Sequence, residues 1–398
     1  MNISEGLLPQ EAITNGEIFR GRLGKNLYTT ETNFHDYISS FQVKLVEEGI
    51  DFSDDDFHSV QMSAALIDAL ARTRINSTSD LKVLEHGQHA FNIFYKAPDS
   101  KEWKLQFANS VYLENFGANL SDKIGTPATE LMKEPYTTET IEKFTNEPGY
   151  TSKFIEMDRL PANDEGDKPA YFWYKKSFNH PNGGQIEVRI GMDGTGLSEE
   201  QRTTLTNIYK FTDKVRSEYI DIVHYAQPSS DSLIVRLKGQ ISSILEHNSG
   251  TENTLATELS WLLMFLEMAN DIIKNSPFPL TIVDKEGTIK RISPAYAAMV
   301  GYTVDEIIKP NFFNKIYPGI EGDLVRKSIE FYAKNGHYPE DASFIVSRGK
   351  EFYGLEKQNN LPSLGSLELN PSPYTFAEGT IRLNTVRPHE SITHLLGK

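Results

Sequence analysis

The chain has no cysteine anywhere in its 398 residues. That absence removes disulfides, thiolate metal ligands, cysteine nucleophiles and photochemistry through a cysteinyl–flavin bond together. Any metal would have to be held by histidine and carboxylates, and no spacing of these suggests a site. Long apolar runs are missing as well: none approaches the roughly 18 residues of a membrane helix. The N-terminal MNISEGLLPQEAITNGEIFRGR also lacks the basic stretch and apolar block of a secretory signal. Basic charge is in short supply, with 40 Lys and Arg against 55 Asp and Glu and a net charge of −15. Nucleic acid and anionic lipid both select basic surfaces, and the densest basic pair, Lys175–Lys176, lies in an aromatic run. These absences predict a cytoplasmic protein with no membrane, nucleic-acid or metal partner.

What is present is an ordinary globular composition, 38% hydrophobic and 11% aromatic, in a chain long enough for two or three domains. Residues 1–85 are mostly helical in pattern. In FHSVQMSAALIDALARTR the apolar positions recur at intervals of three and four. The preceding DFSDDDF has neither the glycine nor the distant glutamate of a calcium loop, so it is read as an acidic helix start capped by Ser53. From residue 86 the pattern changes to strands: AFNIFYKA and WKLQFAN, a short helix SVYLENFG, then TSKFIEMDRL, AYFWYKKSFN and QIEVRIGM. HPNGG between the last two is a hairpin turn.

Residues 199–275 return to helix, punctuated into three by QPSSDS and HNSGTENT. The third, LATELSWLLMFLEMANDIIKN, is too apolar to face water and must pack on a domain or on another subunit. A homodimer interface through Trp261, Leu262, Phe265 and Leu266 is the expectation. The remaining residues, 276–398, open with FPLTIVD, the turn KEG, TIKRIS and the helix PAYAAMVGY. This opening repeats the earlier one, Phe107-Ala-Asn corresponding to Ile292-Ser-Pro about 185 residues on.

The stretch Leu280–Ile308 resembles the start of a PAS domain: an aliphatic strand ending in Asp284, the Lys285-Glu286-Gly287 turn, a second strand, Pro294-Ala-Tyr, and a helix closed by Gly301-Tyr302 before Thr-x-Asp-Glu. Residues 86–198 resemble the same family, with an insertion at RLPANDEGDKP. The fold class implied is α+β: two PAS-like domains at 86–198 and 276–398, each a five-stranded antiparallel sheet with flanking helices. A helical segment joins them, and a mostly helical extension precedes them. In this family the final strand commonly leaves through Asp-Ile-Thr into a signalling helix. Asp193-Gly194-Thr195 stands at that point, so Asp193 and Thr195 are the expected relay turn. The stretch IGMDGTGLSEEQ also resembles an ATPase glycine box, but aligning its glycines puts Met192 where the adenine-binding aspartate belongs.

The resemblance further implies a small cavity. In the second domain its candidate lining is Tyr296, Phe312, Phe313, Ile316, Phe331 and Phe344; in the first it is Phe94, Phe107, Tyr112, Phe154 and Trp173. Plain core is the competing reading for each. Haem is disfavoured because Ile320–Asn335 carries no histidine, and covalent flavin because there is no cysteine; the cofactor is otherwise unknown. His247 lacks the acidic, aliphatic and proline residues that follow a phosphoacceptor, and His224, with proline four residues on, is the better candidate of the two; an ordinary surface or interface histidine is the competing reading for both. The function expected is that of a PAS-type sensory regulator and not an enzyme. It would bind a small apolar ligand or a protein, carry no output domain of its own and act on a separate signalling partner. An enzyme using an aromatic pocket or the N-terminal region, and a pure interaction scaffold, are the alternatives.

Overall fold

The computed structural model describes residues 45–71, 89–114, 120–131, 154–156, 166–210, 231–247, 254–284, 289–307, 344–347, 366–376 and 379–388, apart from isolated positions within them, and a few residues between 327 and 334. Phe312, Phe313, Ile316, His224 and His337 lie outside the described residues, as do the side chains of Phe154 and Phe344.

Helix α1 (Asp54–Ala71) starts where the acidic run suggests. The Asp56 amide donates to Ser53 Oγ at 3.2 Å, and the Ser53 amide donates back to Asp56 Oδ2 at 2.8 Å. Two of the helix's orphan donors are satisfied by this reciprocal pair. Asp56 also takes Arg236 at 2.5 Å, from helix α5 defined below. Burial pushes the Asp56 carboxyl up, but Arg236 and Ser53 outweigh it and hold the group below its ordinary value.

The first sheet uses β1 (His89–Lys96), β2 (Lys104–Ala108), β3 (Phe154–Glu156), β4 (Ala170–Asn179) and β5 (Gln185–Asp193), in the order β2-β1-β5-β4-β3. Each neighbouring pair in this sheet is antiparallel. Short helices α2 (Ser110–Glu114), α3 (Leu120–Lys123) and α4 (Ala128–Leu131) follow β2. The β4–β5 hairpin closes at His180–Gly184, with Gly183 at φ 88°. A Cβ on Gly184 would stand 2.6 Å from the Lys96 carbonyl oxygen, so glycine is required there for space as well.

Helices α5 (Asp231–His247) and α6 (Thr254–Asn275) come next. The second sheet has β6 (Leu280–Asp284), β7 (Ile289–Ile292), β8 (Phe344–Ser347), β9 (Ser366–Phe376) and β10 (Gly379–Pro388), ordered β7-β6-β10-β9-β8, with α7 (Pro294–Val300) and α8 (Val304–Ile307) after β7. The repeat seen in the sequence is a repeat of hydrogen bonds. Asn109 Oδ1 accepts from the amides of Phe91 and Tyr112, each at 3.1 Å. Ser293 Oγ accepts from Leu280 at 2.9 Å and Tyr296 at 3.1 Å. In both cases one polar side chain caps the helix after the second strand and ties it to the first strand. No helix among the described residues is long and apolar enough to cross a membrane.

One apolar core runs through both sheets. Phe91, Ile93, Phe172, Tyr174, Val188, Ile190 and Met192 on the outer face of the first sheet join α1, α6 and, beyond them, Leu280, Ile282 and Ile381 of the second. Helix α6 packs on α1, α5, β4 and α7. This corrects the dimer assignment: Trp261, Leu262, Phe265 and Leu266 are all buried within one chain, Trp261 edge-on to His180 with centroids 5.1 Å apart. The helix is as apolar as it is because it has neighbours on several sides, so these residues are not available to a second copy.

Two expectations follow. Leu262→Ala should cost about 2–5 kcal/mol, as a truncation in a packed core does, with a melting temperature independent of protein concentration. Asp56→Asn should lose roughly 1 kcal/mol of capping at neutral pH. Because the folded-state value of Asp56 is depressed, its contribution is present above the unfolded value of about 4 and is lost as pH falls through the folded one. The gap between wild type and variant in urea unfolding should therefore close below about pH 4.

Candidate functional site

The two faces of the first sheet differ in chemistry. The outer face is apolar and carries the helices. On the inner face, the strand register aligns Ala90–Gly191–Trp173, then Asn92–Arg189–Lys175, then Phe94–Glu187–Ser177 across β1, β5 and β4. The middle row is polar throughout, yet its Asn92, Arg189 and Lys175, like Glu187 of the next row, expose no more than 2% of their surface.

Arg189 Nε donates to Glu187 Oε1 at 2.5 Å. Its guanidinium also lies 4.2 Å from the centroid of Phe94, so that ring face is occupied by a cation. A buried ion pair of this kind repays the desolvation of its charges only where its geometry is good. Tyr112 stands above the sheet from α2; burial pushes its phenol up to about 12, with the Arg189 charge acting the other way, so it is a neutral donor at pH 7. Trp173 lies across Gly191, where a Cβ would come within 2.8 Å of the indole. Tyr112 meets Trp173 edge-on at 6.2 Å.

Asn92 is wholly buried, and neither its Oδ1 nor its Nδ2 has a hydrogen-bond partner among the described residues. Gln106 Oε1 is in the same condition. Each such group costs about 1–3 kcal/mol relative to a satisfied one. Gln106 is the extra residue of a bulge, since Ile93 pairs with Phe107 and Phe94 with Leu105.

That bulge accounts for one correction. Phe107 was expected beside Phe94, Tyr112 and Trp173, but it sits in the outer core against Phe91, while the other three share the inner cluster. In the second half, Tyr296 is buried in the common apolar core. Phe331 is not a lining residue, being 39% exposed. The polar row itself was missed. Its signal was the alternation Gln185-Ile-Glu-Val-Arg-Ile, in which Glu187 and Arg189 look solvent-facing when the far side of the sheet is not known to be covered.

Strand β5 ends in the turn that holds Asp193 and Thr195. The Thr195 amide donates to Asp193 Oδ1 at 2.8 Å, and Thr195 Oγ1 accepts from the Ala170 amide at 3.2 Å, which ties the exit of β5 to the start of β4. Gly196 takes φ 74°. Ser198 and Gln201 form a second capping box, with bonds of 2.9 and 3.2 Å, and Arg202 Nε reaches back to the Gly194 carbonyl at 3.1 Å. The helical residues that follow carry Tyr209 back to the sheet. Its hydroxyl donates to Met192 Sδ, its ring lies 4.7 Å from Phe172, and burial pushes its phenol up.

A separate cleft of about 510 Å³ opens between the end of β4 and helices α5 and α6. Its carboxylates are already engaged: Asp231 by Lys274 at 2.6 Å and Asn270 at 2.8 Å, Glu267 by Lys238 at 2.6 Å, and Asp271 by the Tyr174 hydroxyl and Asn275. The cleft is therefore a bracing network between the helix pair and the sheet.

No family model matches the sequence, and no curated protein matches it. Among solved structures, a Rhodobacter sphaeroides LOV protein is similar at 10% identity and a TM-score of 0.22, covering 49% of this chain and 97% of that one. An RNA-binding Light-Oxygen-Voltage receptor is similar at 11% and 0.23, covering 77% and 98%. The Erythrobacter litoralis EL346 blue-light activated histidine kinase is similar at 13% and 0.23, covering 78% and 99%.

Gly191→Ala should force the indole of Trp173 off the sheet at a cost of about 1–3 kcal/mol, the usual range for overpacking. A lowered melting temperature together with a changed tryptophan emission spectrum would register it.

Proposed function

We propose that this chain is a PAS-type sensory regulator in which the inner face of the first sheet receives a small ligand and the helices on the outer face report it. Two PAS-like units, at 86–198 and 276–398, would be joined by the helices of 199–275. The shared strand order and the equivalent caps at Asn109 and Ser293 support that division.

The observation that carries the reading is the double role of β5. Its alternate residues Glu187, Arg189 and Gly191 face the buried polar row, while Val188, Ile190 and Met192 face the helices. Its last residue, Asp193, holds the turn into the next helix. A shift of β5 by a fraction of an ångström would be felt at Met192 and Tyr209, because packed interfaces respond by switching arrangement. A ligand that prefers one arrangement moves the population toward it by its differential affinity. The output we infer is a change in helix packing, passed to a separate partner protein. Binding is favoured over catalysis because Glu187, the acid beside the polar row, is engaged by Arg189.

Asp193→Ala tests the joint. Each sheet should remain folded, at a cost of roughly 1 kcal/mol for one hydrogen bond. In hydrogen exchange, protection should fall in the helical residues from 199 onward while Gln185–Ile190 stays protected. Unchanged helix protection would remove the coupling on which the reading depends.

A further inference from the structure

We infer that helix α5 is a strap in two parts, one half fixed to the body of the protein and one half that opens on its own, and that the two meet at Gly239. The inference goes beyond the sensory reading and does not depend on it, because it concerns only what holds this helix.

The first two turns of α5 are well held. Leu233, Ile234 and Leu237 are buried there. Polar contacts fasten the same stretch: Asp231 takes Lys274 of α6 at 2.6 Å and Asn270 at 2.8 Å, Arg236 takes Asp56 of α1 at 2.5 Å, and Lys238 takes Glu267 of α6 at 2.6 Å. Asp231 also stands at the positive end of the helix dipole, where an acid is stabilising. Beyond Lys238 the balance reverses. None of residues 239–246 is buried: Gln240, Ile241 and Ile244 are half-buried, and Leu245 is 59% exposed. Gly239 has nothing within 4 Å of where a Cβ would stand, so no close packing requires glycine at that position. In a helix interior it favours the open chain instead. Ile241, Ser242, Ser243 and Ile244 follow, all weaker helix formers than Leu233, Arg236, Leu237 and Lys238. Glu246 puts a negative charge in the last turn, at the negative end of the dipole. A stretch with few buried contacts and poor propensity opens locally, at a free energy below that of global unfolding. Opening from Gly239 onward withdraws Ile241 and Ile244 from the core they half-cover, while both sheets and the fixed half of α5 stay in place.

Hydrogen exchange of the full chain tests this. In the wild type, the amides of residues 241–246 should exchange at least about tenfold faster than those of 235–238, once intrinsic rates are allowed for. Gly239→Ala should slow the first group about fivefold, the factor that corresponds to the helix cost of glycine relative to alanine, and leave the second group unchanged. Should Gly239→Ala not fold, Ser242→Ala, at an exposed position, is expected to show the same pattern at about twofold. Equal protection along the wild-type helix would overturn the inference, because α5 would then open as one unit. A substitution that protects both halves alike, or neither, would overturn it as well.

Discussion

The first sheet is covered on both faces, and most other features of the molecule follow from how that is done. An antiparallel sheet ordinarily keeps one face for solvent. Here the outer face is so apolar, from Phe91 through Val188 to Met192, that leaving it bare would expose a patch of a size that soluble proteins avoid. Helices α1 and α6 and Tyr209 provide the cover. Since α6 also meets α7 beside the second sheet, the cover joins the two sheets into one core. Each of the four α6 side chains Trp261, Leu262, Phe265 and Leu266 contributes about 1.5–3 kcal/mol by leaving water.

The inner face shows the opposite balance. Among the described residues, Asn92 Oδ1 and Nδ2 and Gln106 Oε1 are buried without hydrogen-bond partners, and Arg189 and Glu187 are desolvated to make their pair. Apolar residues of similar volume would give a more stable sheet. Sequences that keep such groups commonly do so at functional sites, where stability is given up for recognition. The two faces share one strand, so whatever engages Arg189 or Asn92 acts on the same backbone that presents Met192 to Tyr209.

The two sheets are built alike but used differently. Asn109 does what Ser293 does and more: its longer side chain also donates to the carbonyls of Leu70 at 3.0 Å and His89 at 2.8 Å, which fastens the end of α1 to the first sheet. Ser293 has the reach only for its local contact with Phe278, at 3.2 Å. The extra carboxamide is thus what ties helix α1 to the first sheet. The ring of His89 in turn meets Phe278 with centroids 5.4 Å apart, where the first strands of the two sheets begin.

Much of this is local and was legible in the sequence. Strand runs such as AYFWYKKSFN, the HPNGG hairpin, the capping of α1 by Ser53 and the turn at Asp193 and Thr195 depend on propensity and on hydrogen bonds within a few residues. The apolarity of α6 was equally legible, but what it packs on was not. A hydrophobic stripe states that a surface must be covered, and only the arrangement of α1, β4 and α7 around it decides that the cover comes from the same chain. The polar row was hidden for a related reason. Period-two alternation separates two faces without saying which of them meets solvent, so Glu187 and Arg189 looked like an outside until the covered inner face showed them buried. Phe107 was misplaced because one extra residue at Gln106 inverts the faces, and a bulge is set by the pairing of β2 with β1, not by β2 itself.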